Sequence, residues 1–313
     1  MKILVVGAGA VGSLLAARCS AARMSVELTA RPEHVAAVRA HGLVVEGTGP
    51  GTYRPTALDS LAAATPPDAV FLTVKTFDLA AAAEALGRRF PRLVPMLLPQ
   101  NGLGVETLAE GPLRATSEAD PRPMLVRGVN TVPVTLVGPG VVRQAGDGEI
   151  LLADPADGAP SAAAASVLGS ALRSAGVAVR WVHDLPRELW RKALVNAAIN
   201  PVTALHGVPN GRLLDRPYRD EALALLHEAQ RAAAAEGFAF SDAESERDLE
   251  RVVRATASNR SSMLQDRDRG RPTEVDAISG AILRAAEQHG IDLPRTRAVV
   301  ARLLARPSRS EAT

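Results

Sequence analysis

Cysteine is almost absent from this chain. The single Cys19 excludes an internal disulfide and any cysteine-based metal cluster. Aromatic residues make up only 3% of the sequence, too few for the stacking platforms that hold single-stranded nucleic acid. Charge of one sign is equally scarce: Lys and Arg number 36 against 34 Asp and Glu, a formal charge of +2. The pI near 9.0 reflects a small Arg excess across a pH range where few groups titrate. So weak a field excludes nucleic acid as the main partner. No run approaches the roughly 20 apolar residues of a membrane-spanning helix, so no membrane partner is expected. Met1-Lys2 and the apolar residues after it imitate a secretion signal faintly, but Gly7, Gly9 and Gly12 interrupt the run. A cytoplasmic location is expected. The six histidines are scattered without metal-ligand spacing, and no metal is expected.

Lysine is the most informative scarcity. Lys2, Lys75 and Lys192 are the only lysines, and all other basic residues are Arg. A chain that writes Arg for ordinary positive charge can keep Lys where a titratable ammonium is needed, although chance retention leaves the same composition. Asn is also sparse and falls at 101, 130, 196, 200, 210 and 259. Against these scarcities stand 47% hydrophobic and 22% charged residues, the balance of a folded protein. At roughly 150 residues per domain, 313 residues make two domains.

The first half reads as strands alternating with helices. Lys2 to Val6 is a continuous apolar run, as in a strand buried on both faces. Gly7-Ala8-Gly9-Ala10-Val11-Gly12 follows at once, and Ser13 to Ala22 reads as a helix. This strand, glycine turn and helix order is what a dinucleotide site requires. Gly7 permits the tight turn, Gly9 lets backbone approach a pyrophosphate, and Gly12 lets helix and strand pack closely. Amides at the helix start then face the phosphate charge. Val26 to Ala30 is the next strand, with Arg31 at its end. An NAD site places a carboxylate there for the ribose 2′-hydroxyl, whereas Arg31 pairs with a 2′-phosphate and favours NADP. Two further strands run into Lys75 and into Pro99-Gln100-Asn101-Gly102, at the strand ends where ligands of open sheets sit. Short glycine-punctuated pieces from Arg127 to Asp154 suggest antiparallel strands closing the far edge of the sheet. Residues 115–123 read as a polar loop with no chemistry assigned. A helix over Ser161 to Ser174 and a strand over Val177 to Trp181 complete a domain ending at 182.

From Pro186 onward helical periods take over. Helices are expected over Arg187 to Asn200, Asp220 to Glu236, Ser245 to Asp266, from a capping-box-like Thr273/Asp276 start to His289, and over Pro294 to Ala305. This second domain spans 183–305, with a disordered tail over 306–313. Lys192, Asn196 and Asn200 are spaced i, i+4, i+8, so an ammonium and two amides share one helix face. Burying three polar groups in a row needs partners, and a ligand is one candidate. Pro201 disfavours helix at Asn200 and puts that side chain at the helix end. Asn259 to Asp266, and Gly270 to Asp276 beyond it, gather a hydroxyl, an amide and a carboxylate around a Gly/Pro turn, which ordinary helix caps also explain.

With these residues the chain resembles the ketopantoate reductase (2-dehydropantoate 2-reductase) family over nearly its full length. The resemblance rests on the Gly7 to Gly12 turn, Val74-Lys75, Asn101-Gly102, the Lys192/Asn196/Asn200 helix, Asn259 to Asp266 and Gly270 to Asp276. It implies an α/β Rossmann-type dinucleotide-binding domain followed by an all-helical, 6-phosphogluconate-dehydrogenase-like domain. It further implies NADPH-dependent reduction of 2-dehydropantoate to pantoate in pantothenate biosynthesis, in a cleft between the domains. Lys192 matches the family's general acid, and Glu274 the carboxylate that binds the substrate hydroxyl and organises Lys192, also bordering the cofactor. Asn196, Asn200, Asn259 and Ser262 match substrate-binding positions. Asn101 matches the junction of cofactor and substrate, and Arg31 with Lys75 the 2′-phosphate end. Two other readings fit the same residues: a reductase of another 2-oxo acid or an imine, and a catalytically silent NADP-binding sensor. A homodimer is compatible with the sequence.

Overall fold

The computed structural model describes residues 1–305, so the tail expected over 306–313 lies outside the described residues. The chain divides into two compact units. One comprises Met1–Gln100 with Val105–Leu185, and the other joins the short Asn101–Gly104 loop to the chain from Pro186 on.

The first unit is built around β1 (Lys2–Val6), whose alternate residues supply two separate layers. Ile3 and Val5 enter one apolar cluster, and Leu4 and Val6 the other. After β1 come α1 (Ala10–Ala21), β2 (Ser25–Thr29), α2 (Pro32–His41), β3 (Leu43–Gly47), β4 (Gly51–Tyr53) and β5 (Thr56–Leu58). Then follow β6 (Ala69–Leu72), α3 (Thr76–Arg89), β7 (Met96–Leu98), α4 (Val105–Thr116) and β8 (Leu125–Arg127). Six strands form one parallel sheet in the order β5-β2-β1-β6-β7-β8. Val5 lies opposite Leu28 on one side and Phe71 on the other, and all three are fully buried. The strand order reverses between β1 and β6, the switch point outside whose carboxyl ends ligands bind in such sheets. The α/β Rossmann-type expectation is met.

The region after β8 departs from expectation. The far edge of the sheet is β8 itself, a parallel strand, and not an antiparallel closure. β9 (Val129–Asn130), β10 (Val134–Gly138), β11 (Val141–Gln144) and β12 (Glu149–Ala153) build two further sheets. The β10–β11 hairpin extends β3 and β4 into a four-stranded sheet, with β11 parallel to β3. β12 pairs antiparallel with β9 and parallel with β13 (Ala178–Val182), which follows α5 (Ala162–Ser174). The cause lies in residues 43–53. That glycine-broken stretch forms a hairpin whose free edge takes up β11 in place of the main sheet. The segment read as a loop over 115–123 is partly helical too, since α4 reaches Thr116 and a 3₁₀ turn occupies Arg122–Met124.

The helical unit contains α6 (Leu185–His206), α7 (Tyr218–Ala235), α8 (Asp242–Ala255), α9 (Ser262–Asp268), α10 (Ala281–Gln288) and α11 (Pro294–Ala305). Ala229, Ala232 and Ala233 on α7 are fully buried, and such small side chains let α10 and α11 pack closely on it. Glu228 caps α11 from α7: its carboxylate accepts from the amides of Arg295 and Thr296 at 3.0 and 2.7 Å.

Three expectations are corrected here. Asn200 does not end its helix, because α6 continues through Pro201 to His206. Packing overrides the local preference: Ala197, Ala198, Ile199 and Val202 are all buried, and the Thr203 hydroxyl lies 2.8 Å from the Ile199 carbonyl. The single helix expected over Ser245 to Asp266 is broken at 256–261, where Ser261 starts α9 by accepting from the Leu264 amide at 3.2 Å. The capping box at Thr273/Asp276 gives way to a π-turn over Asp276–Gly280, in which Asp276 Oδ1 accepts from Arg284 at 2.8 Å.

Candidate active site

The glycine loop lies over the carboxyl ends of the central strands. Gly7 has φ +86°, and a Cβ there would stand 2.7 Å from the Val74 amide, so only glycine fits. Gly12 is buried, with room for a Cβ closed by Thr73 Oγ1 at 2.3 Å. Gly9 is different: a Cβ built on it would meet nothing nearer than the Gly7 carbonyl at 3.9 Å. The open side of the loop is therefore at Gly9, just ahead of Ala10 and Val11 in the first turn of α1, where a pyrophosphate can approach amides at a helix N-terminus. Ala8 is buried beneath, its amide donating to the Thr29 carbonyl at 2.8 Å.

That carbonyl brings the loop to the end of β2, where exposed Arg31 precedes α2. On the other side Thr73 Oγ1 donates to the Gly7 carbonyl at 2.9 Å, and half-buried Lys75 starts α3 two residues later. Arg31, the glycine loop and Lys75 thus stand on three adjacent strand ends, β2, β1 and β6.

At the next strand end the structure adds two residues that sequence reasoning passed over. Gln100 is buried, and its side-chain amide donates to the carbonyls of Leu72 and Val74 at 2.6 and 3.1 Å. Arg127, also buried, donates to the carbonyls of Leu98 and Gln100 at 2.9 and 3.2 Å and pairs with Glu106 at 3.2 Å. Together they hold the ends of β6 and β7 and the backbone entering Asn101. A lone Gln and a lone Arg carry no spacing signal, so only tertiary structure reveals them.

Asn101 opens the loop that belongs to the helical unit. Gly102 has φ +98°, and its Cβ would stand 2.2 Å from the Ala277 carbonyl. Leu103 donates its amide to that same carbonyl at 3.2 Å. Asn101 is thereby held beside the π-turn that starts two residues after Glu274, a carboxylate only 6% exposed.

On α6, exposure falls along the polar face: Lys192 and Asn196 are half-buried and Asn200 is buried. Eight residues separate the ends, about 12 Å along the helix axis, so the face can meet an extended ligand and not a point. The acidic neighbours of Lys192's turn are engaged by Arg191, which pairs with Glu244 and Asp248 at 2.7 and 2.6 Å. Burial alone would raise the Asp248 carboxyl, but hydrogen bonds from Arg251 and Arg191 outweigh it and hold the group below its ordinary range.

The Asn200 turn meets the start of α9 through Thr203, whose Oγ1 lies 2.7 Å from Ser261 Oγ. Ser261 is buried and occupied as the helix cap, which leaves Ser262 exposed in the first turn. Asn259 stands in the break before it, its carbonyl accepting from the Asn210 amide at 2.9 Å. Thr203, three residues after Asn200, thus ties that turn of α6 to the segment that carries Asn259 and Ser262. The break that exposes Ser262 has a sequence signal in Ser258-Asn259 and Ser261, all weak helix formers.

Comparison with known proteins gives the same answer for both units. Residues 3–157 match the family model "Ketopantoate reductase PanE/ApbA", and residues 184–306 match "Ketopantoate reductase PanE/ApbA C terminal". A 2-dehydropantoate 2-reductase of Archaeoglobus fulgidus is 36% identical over 93% of this chain and 92% of its own. One of Halobacterium salinarum is 36% identical over 98% and 99%. A crystal structure of a PanE/ApbA family ketopantoate reductase from Ralstonia eutropha JMP134 superposes with a TM-score of 0.82 at 29% identity, covering 97% of each chain. The chain, from its glycine loop to its last helices, belongs to the ketopantoate reductase family.

Proposed function

We propose that this chain is an NADPH-dependent reductase that converts 2-dehydropantoate to pantoate. The observation that carries the reading is the survival of Lys192 on the polar face of α6 in a family member otherwise almost without lysine. Near neutral pH a lysine ammonium can give up a proton and a guanidinium cannot, so an Arg at 192 would keep the charge and lose the chemistry.

Gly9 and the first turn of α1 offer the open, amide-lined surface that a dinucleotide pyrophosphate needs, and Arg31 with Lys75 supplies cationic charge for a 2′-phosphate. When bound, a nicotinamide cofactor supplies the hydride. The chain's own residues do the rest. Lys192 holds a proton for the keto oxygen and delivers it as negative charge develops there. Glu274 accepts from the substrate hydroxyl and helps organise Lys192. Asn196, Asn200, Asn259 and exposed Ser262 hold the substrate's remaining polar groups, and Asn101 orients the reacting carbonyl. Positioning of this kind is worth more than any single contact, because the reaction otherwise waits on orientation.

The test is loss of NADPH absorbance with 2-dehydropantoate. Wild type should consume NADPH, and Lys192→Ala should lose about 10²- to 10⁴-fold in kcat, the range for removal of a general acid. Binding of NADPH without turnover would reject the substrate and leave the cofactor reading intact.

A further inference from the structure

Behind the glycine loop lies a buried histidine to which the proposed reaction gives no role. His34 stands in the first turn of α2 and is 3% exposed. The Gly140 amide, at the turn of the β10–β11 hairpin, donates to its Nδ1 at 3.2 Å. A neutral imidazole carries one ring proton, so an accepting Nδ1 assigns that proton to Nε2. Nε2–H then donates to Ser13 Oγ at 3.1 Å, and the Ser13 hydroxyl donates to the Ala8 carbonyl at 3.1 Å. Each donor in this relay meets an acceptor, and the relay ends inside the glycine loop. The Ala8 carbonyl is drawn inward by it, away from the open side at Gly9. An outward carbonyl there would set a negative dipole against a phosphate.

We propose that His34 is a positioning residue for dinucleotide binding, which through Ser13 fixes the Ala8 carbonyl inward. The inference rests on the cofactor reading above and adds to it a device that sets the backbone of the glycine loop with one neutral ring.

The relay works only with an unprotonated Nδ1. A second ring proton would point at the Gly140 amide, leaving two donors facing each other in a buried place. Burial pushes the His34 ring below its ordinary value of 6.5, while the Glu33 carboxylate on the same turn pulls the other way. Ser13, on α1, and the Gly140 amide, at the hairpin turn, are the groups that meet the ring from outside α2, and neither ionises. The positive end of the α2 dipole adds to the preference for the neutral form. The folded state therefore binds fewer protons than the unfolded state just below 6.5. The relay is complete above that value and is lost as pH falls through the lower folded-state value.

The experiment is a fluorescence titration of NADH and NADPH on the full-length protein across this range, for wild type, Ser13→Ala and His34→Asn. NADH lacks the 2′-phosphate, so its profile is free of that group's own titration. Above the ordinary histidine value each variant should bind NADH about five- to tenfold more weakly, the worth of one buried hydrogen bond. Wild type should lose NADH affinity on acidification, and both variants should show a flat profile. Ser13→Ala removes one hydroxyl and keeps the ring, so it tests the relay even where His34→Asn does not fold. Variants that bind as tightly as wild type, with the same acid profile, overturn the inference and leave the cofactor reading standing. Wild type that binds neither nucleotide overturns both.

Discussion

The two units present their candidate residues in opposite ways. In the first, the candidate surface is made of backbone: Gly7 and Gly12 are required by packing, Gly9 leaves an open side, and Arg31 and Lys75 are the proposed charged side chains. In the second, the proposed chemistry belongs to side chains, and several of them stand at helix irregularities. Asn200 sits on a helix that runs through a proline, Ser262 begins a helix after a break, and Glu274 precedes a π-turn. On the proposed reading, a cofactor common to many enzymes is met by a regular device, whereas a particular substrate is met by local departures from regularity.

The comparison breaks if the glycines of the loop prove interchangeable. Gly7→Ala should cost roughly 2 kcal/mol or more of stability, from the left-handed backbone and the clash with Val74. Gly9→Ala should stay within about 0.5 kcal/mol of wild type in stability, since its φ of −78° is ordinary and its Cβ would project into open space. The two should exchange places in a binding assay, with Gly9→Ala folded but about tenfold or more weaker for NADPH, the loss expected when a close backbone contact is blocked. Denaturant unfolding beside nucleotide titration separates the outcomes.

The same contrast is sharpened within the helical unit by two adjacent serines. Ser261→Ala should destabilise the protein by about 1–2 kcal/mol, because it removes a helix cap and the partner of buried Thr203. Ser262→Ala should leave stability within about 0.5 kcal/mol and raise the KM for 2-dehydropantoate. If Ser261→Ala alone raises KM with stability intact, the assignment of the two serines is reversed.

How far the sequence carries these conclusions also differs between the units. The glycine loop was legible because three glycines after an apolar run leave little else for the backbone to do. The face shared by Lys192, Asn196 and Asn200 was legible from helical spacing alone. The path of the chain at Asn200 was not, since the local effect of Pro201 is overcome by the burial of Ala198 and Val202 from elsewhere. The sheet made by β3, β4 and the β10–β11 hairpin was invisible for a related reason. Strands of three to five residues take their partners from distant chain, and no local period announces the pairing. Gln100 and Arg127 bond to backbone carbonyls, which have no sequence identity, so nothing in the sequence marks them.

The smallest expected effect tests the irregularity nearest Glu274. Asp276 has the position of a capping carboxylate but is spent on Arg284, with both side chains more than half exposed. An exposed pair of this kind contributes little, so Asp276→Ala should change stability by less than about 1 kcal/mol. What holds the π-turn is instead the Ala277 carbonyl, which accepts the Leu103 amide and leaves no room for a side chain at Gly102. Gly102→Ala should therefore disturb turnover far more than Asp276→Ala does, although neither residue is assigned a contact with substrate. Steady-state kinetics on the pair decides the point. A large loss in Asp276→Ala with Gly102→Ala near wild type would show that the turn is set by its own ion pair, and that the Asn101–Gly104 loop is merely attached to it.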